Sequence, residues 1–173
     1  IRLVASGLAK RGFKKGDVFA IYSPNLPEYA IAFHAVATLG GINTTVNPLY
    51  TPHELAFQLK DSGAKYLLTI PPFLPNAQAA AQEAGGIEEI FVFGEAEGAT
   101  PFAALLKSDG QVPAVEIDPK RDLVVLPYSS GTTGLPKGVM LTHHNLVSNL
   151  AQMSSVPEML GPYGIREDDV TLG

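Results

Sequence analysis

Short apolar runs rich in β-branched residues alternate with helix-forming segments along most of this chain, and that alternation restricts the fold more than any other feature. Ile1 to Lys10 has the look of a helix. Asp17-Val18-Phe19-Ala20-Ile21-Tyr22 reads as a strand ended by Ser23-Pro24-Asn25. Glu28 to Leu39 follows as a helix that is apolar almost all round, so burial on every side is expected, and Gly40-Gly41 stops it. Ile42 to Val46 is extended. The next helix has a complete start signal. Thr51 is placed as N-cap, Pro52 at the first helical position and Glu54 to close a capping box, and the helix runs to about Asp61 with Gly63 as its stop. Tyr66 to Ile70, Ile90 to Phe93 and Leu123 to Leu126 are further strands. Helices are predicted from Ala77 to Ala84, from Thr100-Pro101 to about Lys107, and from a Thr142 cap to Met153, with a connector from Gln111 to Arg121. Near-continuous apolar strands in strand-helix order predict an α/β fold with a mainly parallel sheet flanked by helices.

Composition excludes several classes. A chain of 173 residues with 46% hydrophobic and 17% charged residues can bury a real core and is not disordered. Cysteine is absent, so disulfides, thiolate metal sites and cysteine nucleophiles are ruled out. No apolar run reaches bilayer-spanning length and no signal peptide is visible. A formal charge of −5 argues against nucleic-acid binding. Ile1 opens inside a helix and Val170 opens a strand, so both ends have the look of cuts in a longer protein.

The strand at Leu123 empties into Tyr128-Ser129-Ser130-Gly131-Thr132-Thr133-Gly134-Leu135-Pro136-Lys137-Gly138. Glycines let backbone N–H groups converge on an anion, hydroxyls donate further hydrogen bonds, and the lysine adds a mobile cation. Pro136 stands where the phosphate loop of nucleotide hydrolases requires glycine, so the spacing of that motif fails. Pro136 also disfavours a helix through Lys137, which predicts a hairpin-like loop returning through Gly138 to Thr142. From Leu123 to Pro157 there is no Asp or Glu, a window suited to a polyphosphate. A flexible Ser/Gly linker is the plain alternative, but linkers do not interrupt apolar strands.

The run from Tyr128 to His143 resembles the signature loop of the adenylate-forming superfamily, which holds acyl-CoA ligases, firefly-type luciferases and peptide-synthetase adenylation domains. Gly16-Asp17-Val18, the block Gly40 to Leu55 and Asp61-Ser62-Gly63-Ala64-Lys65 are similar to the 4-coumarate–CoA ligase-like branch, in the expected order. The resemblance implies that residues 1–173 are a piece of a large N-terminal AMP-binding domain whose C-terminal lid is absent, and that the piece is inactive alone. It implies an ATP-dependent acid–thiol ligase that makes an acyl-adenylate and passes it to coenzyme A. ATP phosphates would be held by Ser129, Ser130, Gly131, Thr132, Thr133, Gly134 and Lys137, with Mg²⁺ assisting. The partners implied are a carboxylic acid, ATP and coenzyme A, in the cytoplasm. The catalytic lysine expected of the family lies outside this chain, and no metal ligands are assigned within it. The alternatives are a luciferase-like enzyme, a peptide-synthetase adenylation domain, or a nucleotide-binding remnant without turnover.

Other polar residues have plainer readings. His143-His144 suits capping or packing beside Thr142 rather than metal. His34 is expected to be buried and hydrogen-bonded, and His53 solvated. Tyr128 either orients the loop or only ends a strand. Asn43, Thr44, Thr45 and Asn47 are read as a strand edge passing into a turn. Glu88-Glu89 and Glu167-Asp168-Asp169 are read as solvated.

Overall fold

The computed structural model describes residues 1–129 and 136–154. Ser130 to Leu135 lie outside the described residues, as do the turn expected at Arg166 to Asp169 and the strand expected at Val170. The elements are α1 (Arg2–Lys10), β1 (Val18–Tyr22), α2 (Pro27–Thr38), β2 (Ile42–Val46), α3 (Pro52–Ser62), β3 (Ala64–Thr69), α4 (Leu74–Ala84), β4 (Glu89–Val92), β5 (Thr100–Pro101), β6 (Leu123–Val125), β7 (Tyr128–Ser129), β8 (Lys137–Gly138), β9 (Leu141–Thr142) and α5 (His143–Ser154). The main sheet has the order β5-β4-β3-β1-β2-β6-β9, parallel except where β9 runs antiparallel to β6.

The alternation of side chains along each strand explains the layers. In β1, Phe19 and Ile21 point into one core with Tyr66 of β3, Phe91 of β4, and Val4, Leu8, Val36 and Leu105 from α1, α2 and the 3₁₀ turn Phe102–Lys107. Val18, Ala20 and Tyr22 point the other way, to Leu55, Leu59, Leu67, Ala77 and Ala80 of the α3 and α4 side. All of β1 is buried, as expected for a central parallel strand. The reversal of direction between β1→β2 and β2→β3 puts α2 and α3 on opposite faces under the right-handed crossover rule. Phe19, Tyr66 and Phe91 of β1, β3 and β4 form a triangular cluster of near-parallel rings, each centroid 6.1–6.3 Å from the other two.

Local signals were realised closely at α3. Thr51 Oγ1 accepts from the Glu54 amide, Glu54 accepts from the Thr51 amide at 2.8 Å, and Gly63 takes the left-handed conformation with φ +68°. Thr142 and Asn145 make the equivalent reciprocal cap on α5. Helix α4 starts at Leu74 rather than Ala77, because Pro71–Phe73 winds a 3₁₀ turn into it. Thr100-Pro101 begins not with a helix but with a parallel pairing to Phe91 and Val92, followed by the 3₁₀ turn.

Three expectations are corrected. Helix α2 buries only Ala32, Ala35 and Val36, since the sheet and α1 cover a single side of it. His34 falls on its open side and is exposed. Glu89 is half-buried rather than solvated: it accepts from Thr100 Oγ1 at 2.7 Å and pairs with Arg11 at 3.3 Å, because the start of β4 lies beside the end of α1 and the β5 edge.

Gly7 is a point of close approach, where a Cβ would come within 2.6 Å of the Leu105 carbonyl oxygen and 2.9 Å of its Cα. Those are backbone atoms that cannot rotate aside. Replacing glycine by alanine in a helix gains about 1 kcal/mol, and overpacking costs about 1–3 kcal/mol or more. Gly7→Ala is therefore expected to lower the urea midpoint of unfolding, and a raised midpoint would contradict the packing. The carboxyls of Asp109 and Asp122 are held below the usual range, Asp109 at about 2, chiefly by hydrogen bonds from Lys10 and Lys15 respectively. A depressed carboxyl contributes stability that is present above its unfolded pKa and lost as pH falls toward its folded one. Stability is expected to decline between the ordinary Asp value of 3.8 and about 2, and Asp109→Asn should flatten part of that decline in urea titrations at stepped pH.

Candidate functional site: the hairpin after β6

Strand β6 meets β2 through one register pair, Asn43 opposite Val125, and the Leu126 amide donates to the Asn43 carbonyl at 2.8 Å. Pro127 then removes a backbone donor and the chain leaves the sheet. It enters a two-stranded antiparallel ribbon, with Tyr128 opposite Gly138 and Ser129 opposite Lys137. The predicted hairpin is present, and the Val139 amide donating to the Pro127 carbonyl at 2.8 Å closes its base. It rises from the carboxyl end of the parallel strands, the side where open α/β sheets bind ligands.

The ribbon has two unlike faces. Residues directly opposite in an antiparallel pair share a face, and neighbours along the strand alternate. Tyr128 and Gly138 form the inner face. The Tyr128 hydroxyl donates to Asp61 of α3 at 2.6 Å, and its ring lies where a Cβ on Gly138 would meet it at 3.1 Å. Burial, with the Asp61 carboxylate adding to it, raises the phenol well above its ordinary pKa, so it stays a hydrogen-bond donor. Ser129 and Lys137 form the outer face, and both are exposed. Among the described residues no carboxylate pairs with Lys137, whereas Lys10, Lys15 and Lys65 are each engaged by an aspartate. Of the sequence-predicted site residues, the structure brings Ser129 and Lys137 face to face. Ser130, Gly131, Thr132, Thr133 and Gly134 lie outside the described residues.

Beneath the neck is a buried polar network that the sequence reading assigned to a strand edge. Strand β2 is interior, between β1 and β6. Thr44 Oγ1 donates to the Leu126 carbonyl at 2.9 Å and accepts from Gln58 Nε2 at 2.8 Å. Gln58 Nε2 also donates to the Thr45 carbonyl, and Asn43 Nδ2 donates to the carbonyls of Phe33 and Val124. Asn43, Thr44 and Gln58 are fully buried. Only Asn47 behaves as expected, accepting from the Leu49 amide in a turn. The sequence reading does not single out Gln58, and it names Asp61 only as a helix end and as part of the block Asp61 to Lys65. The available signal was a glutamine on the stripe of α3 that also carries Leu55 and Leu59, an apolar face where a polar group needs a partner. Asp61 also shows that the carboxylate-free window holds along the chain but not in space, although this carboxylate lies on the inner face of the ribbon, away from Lys137.

His143 and His144 act as part of a helix start. The His144 amide donates to the Pro119 carbonyl at 2.8 Å, and burial lowers the His143 pKa against the opposing pull of Asp122, favouring the neutral ring. His53 is exposed and pairs with Glu83. A cavity of about 460 Å³ lies at the far end of the sheet among Leu26, Ile31, Phe93 and Phe102, with Glu28 as its charged residue. An apolar lining with a carboxylate and no cation does not suit a polyphosphate. A smaller cavity of about 270 Å³ lies at the hairpin itself, lined by Asp61, Leu126, Tyr128 and Met140 among others.

Comparison with known proteins agrees with the α/β fold. Residues 1–173 match the AMP-binding enzyme family throughout. The chain is 44% identical over 174 residues to 4-coumarate–CoA ligase 5 of Oryza sativa subsp. japonica, covering 99% of this chain and 31% of that protein. Among solved structures it resembles a long-chain-fatty-acid–CoA ligase from Archaeoglobus fulgidus, with TM-score 0.79 and 31% identity over 88% of this chain and 30% of the other. It also resembles an anthranilate CoA ligase solved with anthranoyl-AMP, with TM-score 0.79 and 28% identity over 88% and 30% of the two chains. The chain thus spans under a third of the length of the curated relatives it matches.

Proposed function

This chain belongs to the AMP-binding enzyme family, and on that premise we propose that it is part of an ATP-dependent acid–thiol ligase. Such an enzyme activates a carboxylic acid as its acyl-adenylate and transfers the acyl group to coenzyme A. Residues 1–173 then form part of the large N-terminal AMP-binding domain, and the lid with its catalytic lysine is supplied from outside them. The relatives' greater length and their names as CoA ligases support this reading. A cytoplasmic location goes with it, since ATP and coenzyme A are drawn from that compartment; among the described residues no helix is long and apolar enough to cross a membrane.

The observation that carries the proposal is the register of the ribbon, which sets Ser129 and Lys137, the latter without a carboxylate partner among the described residues, on one exposed face beside the glycine-rich loop. In the first half-reaction a carboxylate oxygen attacks the α-phosphorus, the bond to the β-phosphate breaks, and pyrophosphate leaves with its charge. In the second, the thiol of coenzyme A gives up its proton, its sulfur attacks the acyl carbon, and AMP leaves. Charge on the departing pyrophosphate has to be stabilised where it develops. We assign that work to Ser129, Ser130, Gly131, Thr132, Thr133 and Gly134, through hydroxyl and amide donors, and to Lys137, through its cation. The exposed outer face, which carries no carboxylate among the described residues, fits a polyanion and its metal, and Mg²⁺, when bound to the nucleotide, supplies further charge neutralisation.

The test uses the full-length protein that contains this chain. Carboxylate-dependent exchange of pyrophosphate into ATP, run with phenylpropenoic, benzoic and fatty acids in turn, followed by detection of the thioester on adding coenzyme A, is expected to be positive for at least one class. Adenylate formation without thioester would point instead to a carrier-domain or oxygen-dependent enzyme, and no exchange at all to a nucleotide-binding remnant. Lys137→Ala is expected to slow exchange on the order of tenfold to a thousandfold, with thioester formation from preformed acyl-adenylate affected less. Equal losses in both half-reactions would mean that Lys137 serves the fold alone.

A further inference from the structure

Resting on the reading of the hairpin as the nucleotide-phosphate site, we propose that helix α3 is the platform that sets the hairpin's position, with Gln58 and Asp61 as positioning residues. The main chain cannot do this by itself. The β2–β6 ladder amounts to one register pair, and Pro127 ends its donors just before the ribbon. The pairing of β6 with β9 and the bond from the Val139 amide to the Pro127 carbonyl tie the hairpin to its own returning strand, so beyond the Leu126 amide its links to α3 and β2 run through side chains. Gln58 holds the Thr44 hydroxyl, and that hydroxyl holds the Leu126 carbonyl. Asp61 holds the Tyr128 hydroxyl two residues further along.

The spacings match. Gln58 and Asp61 are three apart on a helix and so share a face. The groups held are the backbone carbonyl of Leu126 and the side-chain hydroxyl of Tyr128, two residues apart in the chain. Three helical residues rise about 4.5 Å and two extended residues about 6.6 Å, so one helix face serves both points, Asp61 directly and Gln58 through Thr44. The helix is itself fixed at both ends, by the Thr51–Glu54 capping box and the left-handed Gly63. Asp61 accepts a short hydrogen bond at the surface, where nothing in the core requires a carboxylate. Gln58 occupies a fully buried place in which an aliphatic side chain would pack without having to be satisfied. Both cases are accounted for by what they hold: the two points that direct Ser129 and Lys137 outward.

The experiment compares the full-length protein with Tyr128→Phe, Asp61→Ala, Asp61→Asn and Gln58→Met. ATP KM and kcat are measured by pyrophosphate exchange, hydrogen exchange is followed at the Leu126 and Val139 amides, and melting is recorded for each. Tyr128→Phe and Asp61→Ala are expected to raise the ATP KM or lower kcat by about tenfold, since a small misplacement of a binding group carries costs of that order or more. Exchange at the two amides should quicken while the melting temperature changes little. Asp61→Asn, which keeps an acceptor, should stay near wild type. Gln58→Met should show the same kinetic defect with a larger loss of stability. Should it fail to fold, Tyr128→Phe still decides the matter, because it removes one surface hydroxyl. Folded variants with wild-type ATP kinetics, or losses confined to melting, would overturn the positioning role while leaving the ligase reading intact. A wild-type protein without exchange would overturn both, and would be recognised before any variant was made.

Discussion

Burial of the parallel sheet on both faces is the condition from which the rest of the structure follows. In β1, residues of either parity are inside, Phe19 and Ile21 against α1 and α2, Ala20 and Tyr22 against α3 and α4. A sheet occupied in that way has no free face for a ligand, because its central strands are covered on both sides. Chemistry is left to the strand ends, and at the carboxyl end the loops are free to vary without cost to the core. The hairpin after β6 stands there, near the margin of the parallel set, where the ladder thins to one pair.

That thinning creates a need the interior strands do not have. Main-chain ladders hold β1, β2, β3 and β4 in register over several residues each. At β6 the ladder is brief and a proline follows, so orientation passes to the amides and hydroxyls of Asn43, Thr44 and Gln58. Such groups are costly to bury, and the side-chain oxygens of Asn43 and Gln58 find no partner among the described residues, but the bonds that their nitrogens and the Thr44 hydroxyl make are directional in a way that apolar packing is not. The hairpin is thereby held by a rigid, doubly capped helix while its outer face stays open. The phosphate-binding role we propose for the loop calls for that combination, an open face for the anion and a base that does not shift when the anion arrives.

Much of this was legible in the residues. Thr51-Pro52 with Glu54, and Gly63 beyond, predicted α3 almost to the residue, because caps are local chemistry that neighbours in sequence complete by themselves. Pro136 predicted a returning hairpin, since it forbids the helix that a hydrolase loop would require. The failures share a cause. His34 was placed inside because its helix is apolar, yet exposure depends on which elements pack over each side. Glu89 was placed in solvent because a paired acidic run looks solvated, yet Arg11 and Thr100 reach it from distant parts of the chain. Asn43 and Thr44 were assigned to an edge because polar residues suit edges, yet β6, some eighty residues on, covers them.

The sequence by itself determined the order and kind of the elements, the family, and the loop that carries hydroxyls, glycines and one lysine, because hydrophobic period, capping and turn chemistry all act between residues close along the chain. Only the tertiary structure decided that β2 is interior, that Gln58 and Asp61 stand beneath the loop, and that Ser129 and Lys137 share the face turned away from them. Those are relations between residues far apart in sequence, set by the strand order and by which side of each element meets the core, and no local pattern encodes them.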